Sequence, residues 1–292
     1  MENFSRIQSP FRYPGGKSKS NVQKKIFSRF PNEFKEYREP FIGGGGIFFA
    51  VNPQAVEKRW INDINPDLVA VYKALAERPD EFIAMCKKIP AMQPGEPEVY
   101  PRETSTGKKY NKRLKDIFDS VKYDEKCDPA FRYFFVNRTV WGGRVNYDPK
   151  MESRMYFSNP NGWNIVNGNK LNKAAERLQG TKITNTSYEA LLEADGEDVL
   201  IYCDPPYVVN TNLSKTDQLY ADGFTHDDHI KFCKAVRQCK HKVVISYDDH
   251  EDIRELFEFN GFFIHEAEWS YSGTSNEIKT IGKELIITNF EK

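Results

Sequence analysis

The sequence predicts an α/β protein built on a seven-stranded, mostly parallel sheet. Short runs of β-forming residues alternate with helical patterns through most of the chain, which is typical of a parallel sheet with crossover helices. The last two strand patterns have no helix between them, so they should pair antiparallel as a C-terminal hairpin. A chain of 292 residues is long enough for one large or two modest domains.

The strand patterns lie near 37–42, 59–63, 182–184, 199–203, 242–247, 261–269 and 284–290. Apolar residues recur at helical spacing from Lys17 to Phe30, from Pro66 to Ile89 and from Leu171 to Leu178. Another helix opens after Phe224, where Thr225 and Asp228 match a capping box.

The fourth strand pattern, Val199–Cys203, is apolar throughout and ends in Asp204-Pro205-Pro206-Tyr207. Such a run predicts a strand buried on both faces, and ligands bind at the carboxyl ends of strands in open α/β sheets. The prolines fix φ and lack an N–H, so Pro205 offers a rigid carbonyl beside a carboxylate and an aromatic ring. These groups suit a planar ring that carries an amino group, although the tetrapeptide alone also fits an ordinary Pro-rich turn.

Two further motifs indicate a nucleoside-type cofactor. Four glycines at 43–46 follow a short strand through Phe41 and Ile42, and glycine lets the backbone approach a ligand closely. Asp63 follows about 20 residues later, the spacing at which an acidic residue accepts ribose hydroxyls. Asp63 also fits as a helix N-cap, a position that Asn65 could fill instead. The glycine spacing is not that of the dinucleotide fingerprint, which disfavours a nicotinamide dehydrogenase.

The charge distribution is uneven although the formal net charge is zero. Residues 1–35 carry 8 Lys and Arg against 2 Asp and Glu, and residues 100–182 carry 17 against 9. The segment 139–163 adds Arg, Asn, Tyr and Trp, which are side chains used for base-edge and phosphate contacts. A basic face for nucleic acid and ordinary solvated charge both fit this pattern. Lys17 lies where a glycine turn opens a helix, a place suited to a carboxylate or phosphate.

Composition disfavours several other classes. No apolar run reaches the roughly 18 residues that span a membrane, and the N-terminus lacks the apolar core of a signal peptide. Five scattered cysteines without a C-x-x-C pair predict reduced thiols in a cytoplasmic protein. We expect no metal, because His226 and His229 have no matching ligand cluster elsewhere.

Taken in order, these motifs resemble those of the Dam-type (D12 class) DNA adenine-N6 methyltransferases. The matching stretches are R-Y-P-G-G-K at 12–17, E-P-F-I-G-G-G at 39–45, I-N-D-I-N at 61–65, N-R-T-x-x-G-G-R-V-N at 137–146, D-P-P-Y at 204–207 and K-E-L-I-I-T-N at 283–289. The resemblance implies the seven-stranded, Rossmann-like methyltransferase fold, S-adenosylmethionine as donor and double-stranded DNA as substrate, in a bacterial or phage-infected cell. It also implies a catalytic domain of residues 1–88 and 180–292, with a mostly helical target-recognition domain inserted at 89–179.

The resemblance further implies roles for individual residues. The catalytic residues would be Asp204, Pro205, Pro206 and Tyr207. The cofactor-binding residues would be Tyr13, Lys17, Glu39, Phe41, Gly43, Gly45, Asp63 and again Asp204. Contacts to DNA would come from Asn137, Arg138, Arg144 and Asn146. Tyr207 would stack on a flipped adenine while Asp204 and the Pro205 carbonyl accept its N6 hydrogens, so catalysis would depend on positioning and electrostatics.

Trp141-Gly142-Gly143-Arg144 departs from the Asn-Gly-Leu-type sequence of members that read GATC, so neither that specificity nor individual base contacts are carried over. Two other function classes stay open. One is methylation of an RNA adenine or a protein amide, which the same site would suit. The other is an inactive nucleic-acid-binding module. A partner restriction endonuclease is compatible with the family, and the sequence gives no oligomeric state.

Overall fold

The computed structural model describes residues 7–13, 17–89, 116–140, 143, 145, 160–207, 224–270 and 281–292. The chain divides into two compact units. The first comprises Met1–Arg6, Lys17–Ile64 and Gly180–Lys292, and the second comprises Ile7–Gly16 and Asn65–Gln179.

The first unit contains a seven-stranded sheet, which confirms the predicted fold class. Its strands are β1 (Glu36–Glu39), β2 (Lys58–Asn62), β3 (Thr181–Thr184), β4 (Val199–Cys203), β5 (Lys242–Asp248), β6 (Phe263–Ser270) and β7 (Ile281–Thr288). The strand order is β3-β2-β1-β4-β5-β7-β6. The first five strands pair in parallel, whereas β7 pairs antiparallel with both β5 and β6. The predicted antiparallel pairing of the last two strands is therefore confirmed, and β7 lies between β5 and β6.

Helices with described bounds are α1 (Ser20–Phe27), α2 (Pro66–Glu77), α3 (Pro79–Lys88), α4 (Pro129–Thr139), α5 (Lys170–Leu178), α6 (Glu189–Glu193), α7 (His226–Gln238) and α8 (Glu251–Phe259). Asn65 caps α2, because its Oδ1 accepts from the N–H groups of Asp67 and Leu68 at 3.0 and 3.1 Å. Thr225 and Asp228 form the predicted capping box on α7. No helix in the described ranges is long and apolar enough to cross a membrane.

The strand β4 lies in the middle of the sheet and is buried at every position. Ile201 and Cys203 belong to a core that α7 and α8 complete on one face. On the other face the ring of Tyr202 packs against Phe30, with centroids 6.1 Å apart. Burial on both faces explains why this strand is apolar throughout. Asp204 directly follows the strand and therefore lies at the carboxyl edge of a rigid element.

Two predicted boundaries were wrong, and a proline accounts for each. The strand β1 ends at Glu39 instead of continuing to Ile42, because Pro40 has no N–H for a strand ladder. The pattern from Pro66 to Ile89 forms two helices, since Arg78 has a non-helical φ of −141° and Pro79 starts α3.

The described part of the second unit is helical. The helix α2 packs against α4 and α5, around buried Tyr72, Phe134 and Leu178. Because Asn65–Gln179 belongs to this unit without a break, α2 and α3 lie in the same compact unit as the segment that the sequence assigned to an insert at 89–179. The compact unit is thus larger than the predicted insert, and target recognition by this region stays a prediction.

Candidate active site

A cluster of charged and hydroxyl side chains lies at the carboxyl edge of the sheet in the first unit. Asp204 follows β4, and its Oδ1 accepts from Lys17 Nζ at 3.0 Å and from Ser246 Oγ at 2.8 Å. Ser246, on neighbouring β5, also shares a 2.8 Å hydrogen bond with the Tyr202 hydroxyl. The Lys17 side chain is 4% exposed and that of Asp204 is 25% exposed. The Asp204 carboxylate is therefore fixed by groups inside the protein while part of it reaches the surface.

Lys17 connects Asp204 to two more residues of the cluster. Its Nζ donates to the Tyr207 hydroxyl, and that hydroxyl donates to Glu284 Oε2 at 2.8 Å. Glu284 lies on β7 and is completely buried. Its Oε1 has no hydrogen-bond partner in the part of the chain that the structure describes. Burial raises the pKa of Glu284 to about 7, although Lys17 and the Tyr207 hydrogen bond oppose the shift.

The Tyr207 ring is half-buried at this edge. Its centroid lies 6.2 Å from that of Tyr247, and Lys17 Nζ lies 4.8 Å from it. The hydrogen bonds of its hydroxyl and the neighbouring Tyr247 ring thus fix the position of the Tyr207 ring. The preceding Pro205 is buried and Pro206 is partly exposed. Stacking of Tyr207 on a base stays a prediction.

The glycine loop after β1 lies against both Asp63 and Lys17. The Gly43 N–H donates to Asp63 Oδ2 at 2.9 Å. Gly43 and Gly45 have φ values of 44° and 67°, in the left-handed region that favours glycine. A Cβ on Gly46 would lie 2.9 Å from the carbonyl carbon of Lys17. The loop therefore depends on glycine both for its backbone conformation and for its close approach to Lys17.

Glu39 and Phe41, two predicted cofactor residues, lie behind this loop. Glu39 is buried and accepts from the Tyr37 hydroxyl at 2.6 Å, and burial raises its pKa well above the usual value. Phe41 packs against the rings of Tyr188, Phe224 and Phe232. These contacts fix both side chains within the first unit, and contact of either residue with a cofactor stays a prediction.

Asn137, a predicted DNA contact, is fully buried in the second unit. Its Nδ2 donates to the carbonyls of Arg12 and Gly143 at 2.7 and 2.8 Å, and its Oδ1 accepts from the Arg12 N–H at 3.1 Å. Gly143 packs closely on the same segment, since a Cβ there would lie 2.3 Å from the Arg12 carbonyl oxygen. The Asn137 amide thus holds the backbone of Arg12 and leaves no exposed group for DNA.

Arg138 follows on the same helix, and its Nη1 donates to the Pro10 carbonyl at 3.1 Å. Burial lowers the pKa of Arg138 to about 10, and the nearby Arg12 guanidinium adds to the effect. Contact of Arg138 with DNA stays a prediction. Arg144 and Asn146 lie outside the described residues. Tyr13 belongs to the second unit, and its predicted cofactor contact is likewise untested.

Sequence reasoning missed Ser246 and Glu284 as members of the cluster. Both are buried polar residues next to the apolar runs Val243–Ile245 and Leu285–Ile287 of β5 and β7. A polar side chain in such a strand must find a partner, and that requirement could have marked both. Across the described residues no group of His, Cys, Asp and Glu could hold a metal ion.

The sheet order, the glycine loop after β1, the acid after β2 and the polar cluster after β4 together define a Rossmann-like methyltransferase. The family model described as D12 class N6 adenine-specific DNA methyltransferase matches residues 13–272, and the chain belongs to that family. The family settles two alternatives that the sequence left open. The substrate is adenine in DNA, not an RNA adenine or a protein amide. The chain is an adenine-specific DNA methyltransferase, not an inactive nucleic-acid-binding module.

Similar proteins agree with this assignment. The type II methyltransferase M1.LlaDCHI of Lactococcus lactis is 24% identical over 266 residues, which are 89% of this chain and 88% of that protein. The type II methyltransferase M.MjaIII of Methanocaldococcus jannaschii is 26% identical, over 78% of this chain and 79% of its own length. A DNA adenine methylase of Vibrio cholerae is 27% identical, over 77% of this chain and 76% of its own.

Proposed function

We propose that the enzyme uses S-adenosylmethionine to methylate N6 of an adenine that is turned out of double-stranded DNA, with Asp204 as the central catalytic residue. One observation carries this proposal. The Asp204 carboxylate stands at the end of a fully buried strand, fixed through Oδ1 by Lys17 at 3.0 Å and by Ser246 at 2.8 Å. Such preorganisation is what electrostatic catalysis requires.

The residues of the carboxyl edge fit this cofactor. The left-handed glycines Gly43 and Gly45 keep the loop backbone bare of side chains, so a ligand can approach its peptide groups closely. Asp63 lies beside the loop and offers carboxylate oxygens for ribose hydroxyls. The next residue, Ile64, is 64% exposed, and its apolar side chain suits the face of a purine. When bound, S-adenosylmethionine supplies a methyl group on a positively charged sulfur.

The adenine amino group would meet Asp204 and the Pro205 carbonyl. Both described hydrogen bonds to Asp204 end on Oδ1, which leaves Oδ2 to accept one N6 hydrogen while Pro205 accepts the other. These two acceptors hold N6 in one orientation and increase the electron density on its nitrogen. Because an adenine inside a duplex cannot reach this edge, the base must leave the stack, and we assign contact with the base to Tyr207.

Recognition of DNA is assigned to the second unit. Arg138 and Lys170 line one cavity there together with Asn164, Ile165 and Gly168. Two cationic side chains and an amide suit phosphate oxygens. Because two similar proteins carry type II names, a cognate restriction endonuclease is a further proposed partner.

The deciding experiment is transfer of labelled methyl groups from S-adenosylmethionine to unmethylated bacterial DNA, followed by single-molecule mapping of N6-methyladenine. We expect incorporation at one short sequence motif. Asp204→Ala should abolish transfer while duplex binding, measured by fluorescence anisotropy, is kept, because phosphate contacts are assigned to the second unit. Equal loss of both activities in a folded variant would contradict the assigned role of Asp204.

A further inference from the structure

We propose that Glu284 is the terminal proton acceptor of the active site and receives the proton that adenine N6 must lose, by way of Asp204, Lys17 and Tyr207. This inference rests on the proposed function, because it requires N6 as the nucleophile. It assigns a catalytic task to a strand residue that the motif comparison left without one.

The geometry provides a continuous chain of hydrogen bonds. Asp204 Oδ1 lies 3.0 Å from Lys17 Nζ, which donates in turn to the Tyr207 hydroxyl. That hydroxyl lies 2.8 Å from Glu284 Oε2. The four groups come from three separate stretches of the chain, because Asp204 and Tyr207 share one tetrapeptide, and each touches the next through a polar atom. Of the three charged side chains in this chain, Asp204 is 25% exposed, whereas Lys17 and Glu284 are buried.

The proton balance closes along this chain. Methyl transfer forms a bond from N6 to carbon and breaks the carbon–sulfur bond, whose electron pair stays on sulfur. N6 then carries one hydrogen in excess, and Asp204 accepts it as a proton. Lys17 passes a proton to the Tyr207 oxygen while Tyr207 passes its own to Glu284. The Asp204 carboxyl group, which received its proton on Oδ2, then turns so that this proton faces Lys17 Nζ and restores the ammonium group. Only Glu284 ends in a changed state. Because Glu284 is buried, its proton returns along the same groups to Asp204, which reaches the surface, and leaves to solvent before the next turnover.

The surroundings of Glu284 make it a suitable acceptor near neutral pH. Burial raises its pKa, and the carboxylates of Asp204 and Asp248 raise it further, while Lys17 and Tyr207 lower it. Asp248 is the cross-strand neighbour of Glu284 in the β5–β7 pair. The balance brings the pKa to about 7, so the group can both accept and release a proton at physiological pH. The buried Oε1 has no described hydrogen-bond partner, so it is a second oxygen of the carboxyl group that can carry the proton.

A purely positioning role makes a different prediction. If Glu284 only held the Tyr207 hydroxyl, then Glu284→Gln would preserve activity, because the amide oxygen accepts the same hydrogen bond. An amide cannot take up a proton at these pH values, so the proton-acceptor role is lost in that variant. The glutamine variant therefore separates the two roles without changing the size of the side chain.

The test measures single-turnover methyl transfer to DNA from about pH 5.5 to about pH 9. The wild-type rate should rise through an ionisation near the Glu284 pKa of about 7 and then level off. Glu284→Gln should lose this rise and be about 10- to 100-fold slower at the plateau. Tyr207→Phe keeps the ring and breaks the chain, so it should lose the same pH dependence. Glu268→Gln, at an exposed position on β6, is the matched control and should behave as wild type.

A second readout does not depend on turnover. The carboxyl carbon-13 resonance of Glu284, assigned by its absence in Glu284→Gln, should titrate near neutral pH in the free protein. If Glu284→Gln and Tyr207→Phe both keep the wild-type rate and pH profile, the proton-acceptor role is overturned. Titration of Glu284 at an ordinary glutamate pKa would also overturn it. Either result would leave the proposed function intact. An inactive wild-type enzyme would overturn the proposed function and this inference with it.

Discussion

The two edges of the sheet each contain a buried cationic side chain, and these two side chains have different hydrogen-bond partners. At the amino edge, Arg38 is 1% exposed, and its Nε donates to Glu36 at 2.6 Å. Its remaining nitrogens donate to the carbonyls of Leu191, Ala194 and Asp195 at 2.7 to 2.8 Å. At the carboxyl edge, Lys17 is similarly buried, but its described partners are a carboxylate that reaches the surface and a tyrosine hydroxyl.

The difference shows how the same kind of interaction serves two purposes. The backbone carbonyls around Arg38 cannot titrate and cannot turn away, so that network is closed and contributes to the fold. The described groups around Lys17 are side chains of the exposed edge, and Glu284, which follows in the same hydrogen-bonded cluster, has an oxygen without a described partner. Perturbed ionisable groups with such incomplete pairing are typical of functional sites.

Replacing Arg38 with Met should destabilise the fold by about 3–5 kcal/mol, because the variant leaves Glu36 buried without its cation. Urea unfolding of wild type and Arg38→Met gives this free energy. Arg237→Met, at an exposed position of α7, is the control and should change stability by less than about 0.5 kcal/mol. A loss near the control value would mean that the amino-edge network does not stabilise the fold.

Replacing Asp204 with Asn should reduce methyl transfer by about 10²–10³-fold, equivalent to about 2.7–4 kcal/mol of transition-state stabilisation. The amide keeps the shape but loses the charge that faces Lys17 and N6. Asp195→Asn is the matched control at the amino edge, because Asp195 interacts with Arg38 through its backbone carbonyl. Single-turnover rates of the two variants check the prediction, and similar rates would contradict it.

The stability of the wild type should fall relative to Glu284→Gln as pH rises. The folded-state pKa of about 7 lies above the ordinary value of 4.5. Between these values the folded protein holds a proton that the unfolded chain has released, so the free energy of unfolding decreases with pH. The difference should reach roughly 3 kcal/mol above about pH 7, since one pKa unit is about 1.4 kcal/mol. Urea unfolding of both proteins on either side of this range measures it, and parallel pH curves would refute the raised pKa.

Replacing Gly196 with Ala should cost about 1–3 kcal/mol, because overpacking displaces neighbouring groups. The new Cβ would lie 2.5 Å from Arg38 Nη2 and 2.5 Å from a Val199 methyl group. Gly168→Ala has nothing within 4 Å of its Cβ and is the control. Thermal unfolding of both variants checks the prediction. Methyl transfer by the folded fraction of Gly196→Ala should equal that of wild type, since only the amino edge is disturbed.

The sequence predicted the elements of the fold better than the contacts of the site. The run Val199–Cys203 was recognised because burial on both faces leaves an unbroken apolar pattern, and the paired late strands were recognised because no helix separates them. The end of β1 was predicted three residues too late, because Pro40 was not weighed against the apolar pattern. The break between α2 and α3 was missed, because Pro79 was not weighed against the helical periodicity.

The contacts of Glu284 could not be read from local pattern. Its hydrogen bond to Tyr207 spans 77 positions, and it depends on β7 entering between β5 and β6 in one particular register. Likewise, Asn137 has the residue type of a DNA contact, but its partners Arg12 and Gly143 are set by tertiary packing. Local chemistry identifies residues that are capable of a function, and the topology decides which of them are exposed to perform it.

The position of β7 also has a consequence for synthesis of the enzyme. This strand is made after β6, yet it lies between β5 and β6 and brings Glu284 to Tyr207. When β1 to β6 have been synthesised but β7 has not, the nascent chain therefore lacks the strand that pairs with both β5 and β6, and it lacks Glu284. The nascent chain should depend on chaperones at this stage, and newly made enzyme should acquire its methylating activity only once residues 281–288 have left the exit tunnel.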